Sequence, residues 1–272
     1  MAGRIAIIVE GTKQEVKYFR SLERHFFTRT KLDIVLLSGA ENIYVLWKQL
    51  KDDNFETDII EVMREKNNAA SKKLEGINRS DFQEIYLFYD YDPQQDNVSL
   101  PYDIVKEMLE TFSNETENGK LYISYPMSEA LRDVRQNSCV PYTKCMLSMS
   151  EITSYKKLTS ADNVYVHAGA YSFSEWEMIL LIYLSRVKCL YGLKEIFEIF
   201  EHEKELNTPS KLYEIERVIR ARTGKIFVLS AFPEFIVDYF PKEKFIDMLT
   251  AKDNISDEEC EESLPRNACK VR

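Results

Sequence analysis

Three acidic residues stand where two apolar runs end. The run Ile5-Ala-Ile-Ile-Val9 leads into Glu10, and the run Ile85-Tyr-Leu-Phe-Tyr89 leads into Asp90 and Asp92. Side chains alternate along an extended chain, so Asp90 and Asp92 are expected on one side and Tyr91 on the other. Two carboxylates at that spacing, joined by a third from a neighbouring strand, make the hard oxygen set that Mg²⁺ or Mn²⁺ prefers. Left uncompensated, they repel and raise one another's pKa, a cost that a divalent cation removes. The chemistry open to such a site is phosphodiester hydrolysis, with the metal polarising the phosphate and activating a water. Each acid also has an ordinary structural role open to it. Glu10 precedes a helix start, where negative charge is favourable in any case.

These acids work together only if the chain brings the two strand ends to one place. Arg4–Val9 is β-branched and almost continuously apolar, as expected of a central parallel strand covered on both faces. Gly11 marks a turn, and Thr12-Lys-Gln-Glu15 has the T-x-x-E pattern of a capping box at the start of a helix running to about Phe27. Leu32–Leu37 is predicted as a second strand, followed by a helix over Glu41–Leu50 and a lysine-ended helix over Asp58–Leu74. The strand Glu84–Tyr89 comes next, then a helix over Tyr102–Phe112, a turn over 113–119 and a strand over Lys120–Ser124. Four strand–helix alternations predict an α/β fold, a parallel sheet of about four strands flanked by helices. Right-handed crossovers place the carboxyl ends of such strands on one edge, where open α/β sheets bind ligands. Glu10, Asp90, Asp92 and Glu129 all fall there by sequence position.

Beyond residue 135 the pattern becomes mostly α-helical. A strand is expected over Asn163–His167. Helices are expected over Phe173–Leu190 with Ser174 as N-cap, over Leu193–Leu206, over Ser210–Arg222, and over Val228–Phe240 with a break near Pro233. Three parts follow: 1–135 as the catalytic domain, 136–252 as a helical subdomain, and 253–272 as an acidic tail expected to be disordered. The 272 residues are 44% hydrophobic and carry a formal net charge of −9. That acidity argues against a protein that coats nucleic acid, but not against an enzyme that cleaves it. The five cysteines are scattered with no C-x-x-C pair, and the three histidines lie far apart. This suggests free thiols in a reducing compartment and gives no zinc signature. No apolar run approaches the roughly 18 residues of a membrane span, so a cytoplasmic protein without membrane contact is expected.

Cations that could meet substrate phosphates are Lys13 in the first turn of the first helix, Arg132 with Arg135 just past Glu129, and the cluster Arg217, Arg220, Arg222 and Lys225. Lys72-Lys73 and Lys156-Lys157 are weaker cases. Arginine can fork onto a phosphate, whereas a solvated helix face is the plainer use of such residues.

A strand running into Ile7-Ile-Val-Glu-Gly11 with Glu15 following, then a later strand ending Tyr89-Asp-Tyr-Asp92, resembles the Toprim domain of topoisomerases, primases and defence nucleases. The resemblance covers about residues 1–135. It implies a Toprim-like sheet, Glu10 as catalytic acid/base or metal ligand, and Asp90 and Asp92 holding Mg²⁺ or Mn²⁺. Ser124-Tyr-Pro-Met-Ser-Glu129 is similar to the Ser-Asn-Pro-x-x-Glu signature of RloB-like Toprim proteins, with Tyr125 in place of the Asn, and so implies Glu129 as a further ligand. A stand-alone Toprim with a helical appendix is similar to small effectors of bacterial anti-phage systems. That similarity implies a metal-dependent endonuclease acting on DNA or RNA, a partner ATPase that restrains it, and a homodimer when active. A non-catalytic interaction protein on the same scaffold is the alternative. A phospho-aspartate enzyme is disfavoured, because Pro93 and Gln94 follow Asp92.

Overall fold

Every residue of Ile5–Val9 is buried, and β1 (Arg4–Val9) lies in the middle of a sheet, as its unbroken apolar run requires. The computed structural model describes residues 3–28, 32–91, 93, 103–133, 146–160, 167–201, 206 and 208–248. β1 pairs in parallel with β2 (Asp33–Ser38) on one side and β3 (Glu84–Asp90) on the other. The two-residue β4 (Ser113–Asn114) runs antiparallel to β5 (Gly119–Ser124), which itself pairs in parallel with β3. The strand order is β2-β1-β3-β5-β4. The register sets Val9 beside Phe88 and Asp90 beside Ser124, so three strands end at nearly the same level. The α/β class and the parallel strands agree with the sequence pattern; the edge strand β4 falls where only a turn was expected.

Helices cover both faces of this sheet. The first half contributes α1 (Gln14–Phe26), α2 (Ile43–Asp52), α3 (Ile59–Lys66), α4 (Asn68–Lys73) and α5 (Ile104–Thr111). The expected single helix over Asp58–Leu74 is two helices, α3 and α4, that meet at Asn67. The Asn67 side chain accepts from the Ala69 and Ala70 N–H groups, and its amide donates to the carbonyls of Ser38 and Gly39. An asparagine that caps a new helix and ties it to the end of β2 is worth more there than in a helix interior.

The second half contributes β6 (Met146–Ser148), α6 (Met149–Leu158), α7 (Phe173–Tyr191), α8 (Phe197–Glu201), α9 (Pro209–Thr223), β7 (Lys225–Phe227) and α10 (Ala231–Tyr239). β6 and β7 form a small antiparallel pair that sequence reading did not foresee. The N-cap of α7 is Ser172 rather than Ser174, in a reciprocal capping box with Glu175. Pro233 does not break α10. It sits in the first turn, where a missing N–H costs nothing. The expected strand over 163–167 lies outside the described residues except for His167, as does the acidic tail. Among the described residues, no helix is long and apolar enough to cross a membrane.

The apolar core is continuous across residue 135 and includes β1, β3, α1, α7 and α10. Its centre is aromatic. Phe88 of β3 stacks on Phe232 of α10, with ring centres 5.0 Å apart, and on Tyr122 of β5 at 5.6 Å. Phe19 of α1 and Phe235 of α10 complete that face. Ile85, Leu87 and Tyr89 alternate to the other face, and α4 packs against β2 while α5 packs against β5. Where α10 begins is set at the strand ends themselves: the Ala231 N–H donates to Ser124 Oγ at 3.2 Å. Gly119 is required by its surroundings, since its φ is +107° and a Cβ there would come within 2.5 Å of Leu87 Cδ1.

Phe232→Ala should remove the stacked ring under Phe88 and destabilise the protein by about 3–5 kcal/mol. Urea unfolding of single-tryptophan variants tests whether the loss is shared. Trp47 of α2 and Trp176 of α7 should report the same lowered midpoint.

Candidate active site

The shared strand ends bring the acids of β1 and β3 together. Glu10 follows β1 directly, and its N–H donates to the Phe88 carbonyl at 3.3 Å. Glu10 Oε2 in turn accepts from the Asp90 N–H at 3.4 Å. Two carboxylates far apart in the chain therefore sit side by side, as the strand pattern requires.

The capping box expected of Thr12 and Glu15 does not form. α1 begins at Gln14, with Lys13 at the cap position and no side-chain cap. Glu15 is used elsewhere: Glu15 Oε1 accepts from Ser128 Oγ at 3.2 Å. Its carboxylate lies so close over Gly11 that a Cβ there would come within 2.0 Å of Glu15 Oε2. Gly11 thus makes room for an acid, a use beyond the turn expected of it.

Ser128 joins the acids. Its N–H donates to Asp90 Oδ1 at 2.7 Å while its hydroxyl serves Glu15. It begins the short 3₁₀ turn Ser128–Arg132, which follows the end of β5 and also carries Glu129. Sequence reading singled out Glu129 within Ser124–Glu129 but passed over Ser128. A serine between β5 and an acid, opening a turn, is the signal that could have found it.

Glu129 is buried, with two cations beside it. Lys156 Nζ, on the highly exposed side chain of an α6 residue, lies 3.1 Å from Glu129 Oε1, and Arg132 Nη2 lies 3.7 Å from the same oxygen. Arg132 is itself buried and holds α6 in place through Thr159 Oγ1 at 3.1 Å and Ser160 Oγ at 2.9 Å. Its fork is turned into the protein rather than presented to a substrate.

The electrostatic result is concentrated on Asp90. Burial is the main cause that lifts its pKa well above the ordinary carboxylate value. The charges of Glu10, Glu15 and Glu129 add to it, and the Ser128 N–H opposes it. The donor set has the chemistry of a hard-cation site, but among the described residues no three of these acids stand as a ready metal shell. Asp92 lies outside the described residues, as does Arg135.

The remaining sequence candidates are scattered. Lys13 is exposed at the start of α1, next to the acidic edge in sequence. Arg217 Nε pairs with Asp103 at 3.0 Å, across α9 and the start of α5. Arg220 donates to the Tyr91 hydroxyl at 2.6 Å and to the Pro93 carbonyl at 2.7 Å, which places it at the exit of β3. Arg222 is exposed near the end of α9.

Because the folded protein disfavours charge on Asp90, this group's contribution to stability is full below the carboxylate's unfolded pKa. It is lost as the pH rises through the higher folded value. Asp90→Asn keeps the acceptor for Ser128 and removes the charge. In metal-free buffer it should be more stable than the parent at pH 8, with a smaller gain at pH 5, by urea unfolding. No family model matches the chain, and comparison with characterised proteins and with solved structures returns no match.

Proposed function

We propose that the chain is a Mg²⁺- or Mn²⁺-dependent endonuclease with a Toprim-like catalytic edge, cleaving DNA or RNA. The observation that carries this reading is the convergence of Glu10 and Asp90 at the carboxyl ends of adjacent parallel strands, with Glu15 and Glu129 near enough to oppose the charge of Asp90. A cluster of this kind is unfavourable for folding alone, and it suits a site that neutralises it with a cation.

Glu10 and Asp90 would hold the metal, with Asp92 as the third ligand implied by the resemblance. A divalent cation bound there would polarise the phosphodiester and lower the pKa of an attacking water. The rest falls to the chain. The Glu10 carboxylate would take the proton of the water as general base. Ser128 holds Asp90 Oδ1 in a fixed direction and keeps Glu15 beside it. Lys156 and Arg132 offset Glu129, so the edge is acidic at its centre and basic at its rim. A nucleic-acid backbone would enter with its phosphates toward that rim and toward Lys13. The anti-phage setting, the partner ATPase and the active homodimer belong to the same proposal and rest on the resemblance alone.

Glu10→Gln should lower Mg²⁺-dependent cleavage by about 10²–10⁴-fold, the usual contribution of a general base. Asp90→Asn should lower it at least as much, with both variants folded by circular dichroism. The measurement is incubation of purified protein with DNA and with total RNA plus Mg²⁺, followed by sequencing of the cut ends. Undiminished cleavage by both variants refutes the assignment. If the parent is silent, the same assay is run with the ATPase encoded beside it.

A further inference from the structure

Arg220 is a candidate phosphate contact by sequence, yet its guanidinium is used inside the fold. It sits in the last turn of α9. Nη1 donates to the Tyr91 hydroxyl at 2.6 Å, Nη2 donates to the Pro93 carbonyl at 2.7 Å, and the guanidinium carbon lies 5.8 Å from the centre of the Tyr91 ring. Tyr91 is buried, packs its ring against Tyr125 at 5.0 Å, and donates its N–H to the Ser124 carbonyl at 2.9 Å. In the chain, Tyr91 and Pro93 are the two neighbours of Asp92, and Tyr91 directly follows Asp90.

We propose that Arg220 is a positioning residue for the acidic exit of β3: it fixes the chain on both sides of Asp92 so that the acids there can share one divalent cation. The proposal rests on the metal-dependent reading above for what that exit does. The physical need is clear. Asp90 is set among Glu10, Glu15 and Glu129, and a strand end loaded with like charges tends to open unless something rigid holds it. A planar guanidinium meets two acceptors at once in a fixed geometry, whereas a lysine ammonium is a point donor on a flexible stem. A bond made only to dock α9 on the sheet could join any residues of the two elements. This one grips both neighbours of one acid.

The test is calorimetric titration of Mg²⁺ alone into the full chain, compared across the parent, Arg220→Lys, Arg220→Ala and Tyr213→Phe. Tyr213 is on the same helix and donates its hydroxyl to Asp103 at 2.8 Å, so its variant controls for a general loosening of α9. Arg220→Lys and Arg220→Ala should weaken Mg²⁺ affinity by about 10- to 100-fold, as loss of a group that orients metal ligands does. Tyr213→Phe should match the parent. Affinity for labelled single-stranded DNA and RNA oligonucleotides in EDTA should not change in Arg220→Lys. Parent-like Mg²⁺ affinity in Arg220→Lys overturns the proposal, whether the variant melts at the parental temperature or lower. A loss confined to oligonucleotide binding also overturns it and returns Arg220 to a phosphate contact. If Asp90→Asn binds Mg²⁺ as the parent does, or the parent binds none, the metal reading itself fails, and this proposal falls with it.

Discussion

A strand buried on both faces leaves its polar groups nowhere to go but its ends. β1 and β3 are such strands: their side chains from Ile5 to Val9 and from Ile85 to Tyr89 are all enclosed. Parallel pairing aligns the ends, and the aromatic stack of Phe88 with Tyr122 and Phe232 fixes β3 against β5 and α10. The acids that follow the strands are therefore gathered by the core rather than by attraction for one another. Helix α10 comes last among the described elements but belongs to this same constraint. Its first N–H groups are tied to Ser124, one residue level with Asp90.

Gathering like charges is costly, and the structure shows how the cost is distributed. Ser128 gives a backbone donor to one acid and a hydroxyl to another. Glu129, the most enclosed of the four, has both cations, Lys156 and Arg132. Asp90 has Ser128 but no such cation recorded beside it, and its pKa is driven up accordingly. Buried charges that are unevenly matched in this way favour specificity of arrangement over stability. The small β6–β7 pair and α6 gain a purpose here, because they deliver Lys156, Thr159 and Ser160 to the 3₁₀ turn that carries Glu129.

The parts of this arrangement that follow from local pattern were legible in the sequence. Four strands, their parallel sense and the convergence of Glu10 with Asp90 follow from apolar runs, βα alternation and the rule for strand ends. What was not legible depends on partners distant in the chain. Thr12 and Glu15 match a capping box letter for letter, but Glu15 finds Ser128 more than a hundred residues away. Asn67 looks like a helix interior until the carbonyls at the end of β2 are beside it. Arg217, Arg220 and Arg222 read as one cluster, yet one pairs with Asp103, one grips the exit of β3 and one is exposed. Two- and three-residue strands such as β4 and β6 carry too few side chains to show a period. Asp92 was read from sequence and lies outside the described residues.

Tyr125 and Leu229 form an isolated antiparallel bridge, donating to each other's carbonyls at 2.7 and 3.0 Å. The chain thus leaves the end of β5 and, about a hundred residues later, returns to the same spot. In constructional terms everything between them is an excursion whose two ends coincide. The closure entropy of such an excursion grows only with the logarithm of its length, so doubling it costs roughly 0.6 kcal/mol. That makes the stretch between the bridge residues a place where this architecture can lengthen, shorten or exchange material while the strand ends and their acids stay in register. Diversity in what the site acts on would then be expected to accumulate there, while the sheet that presents the acids stays the same.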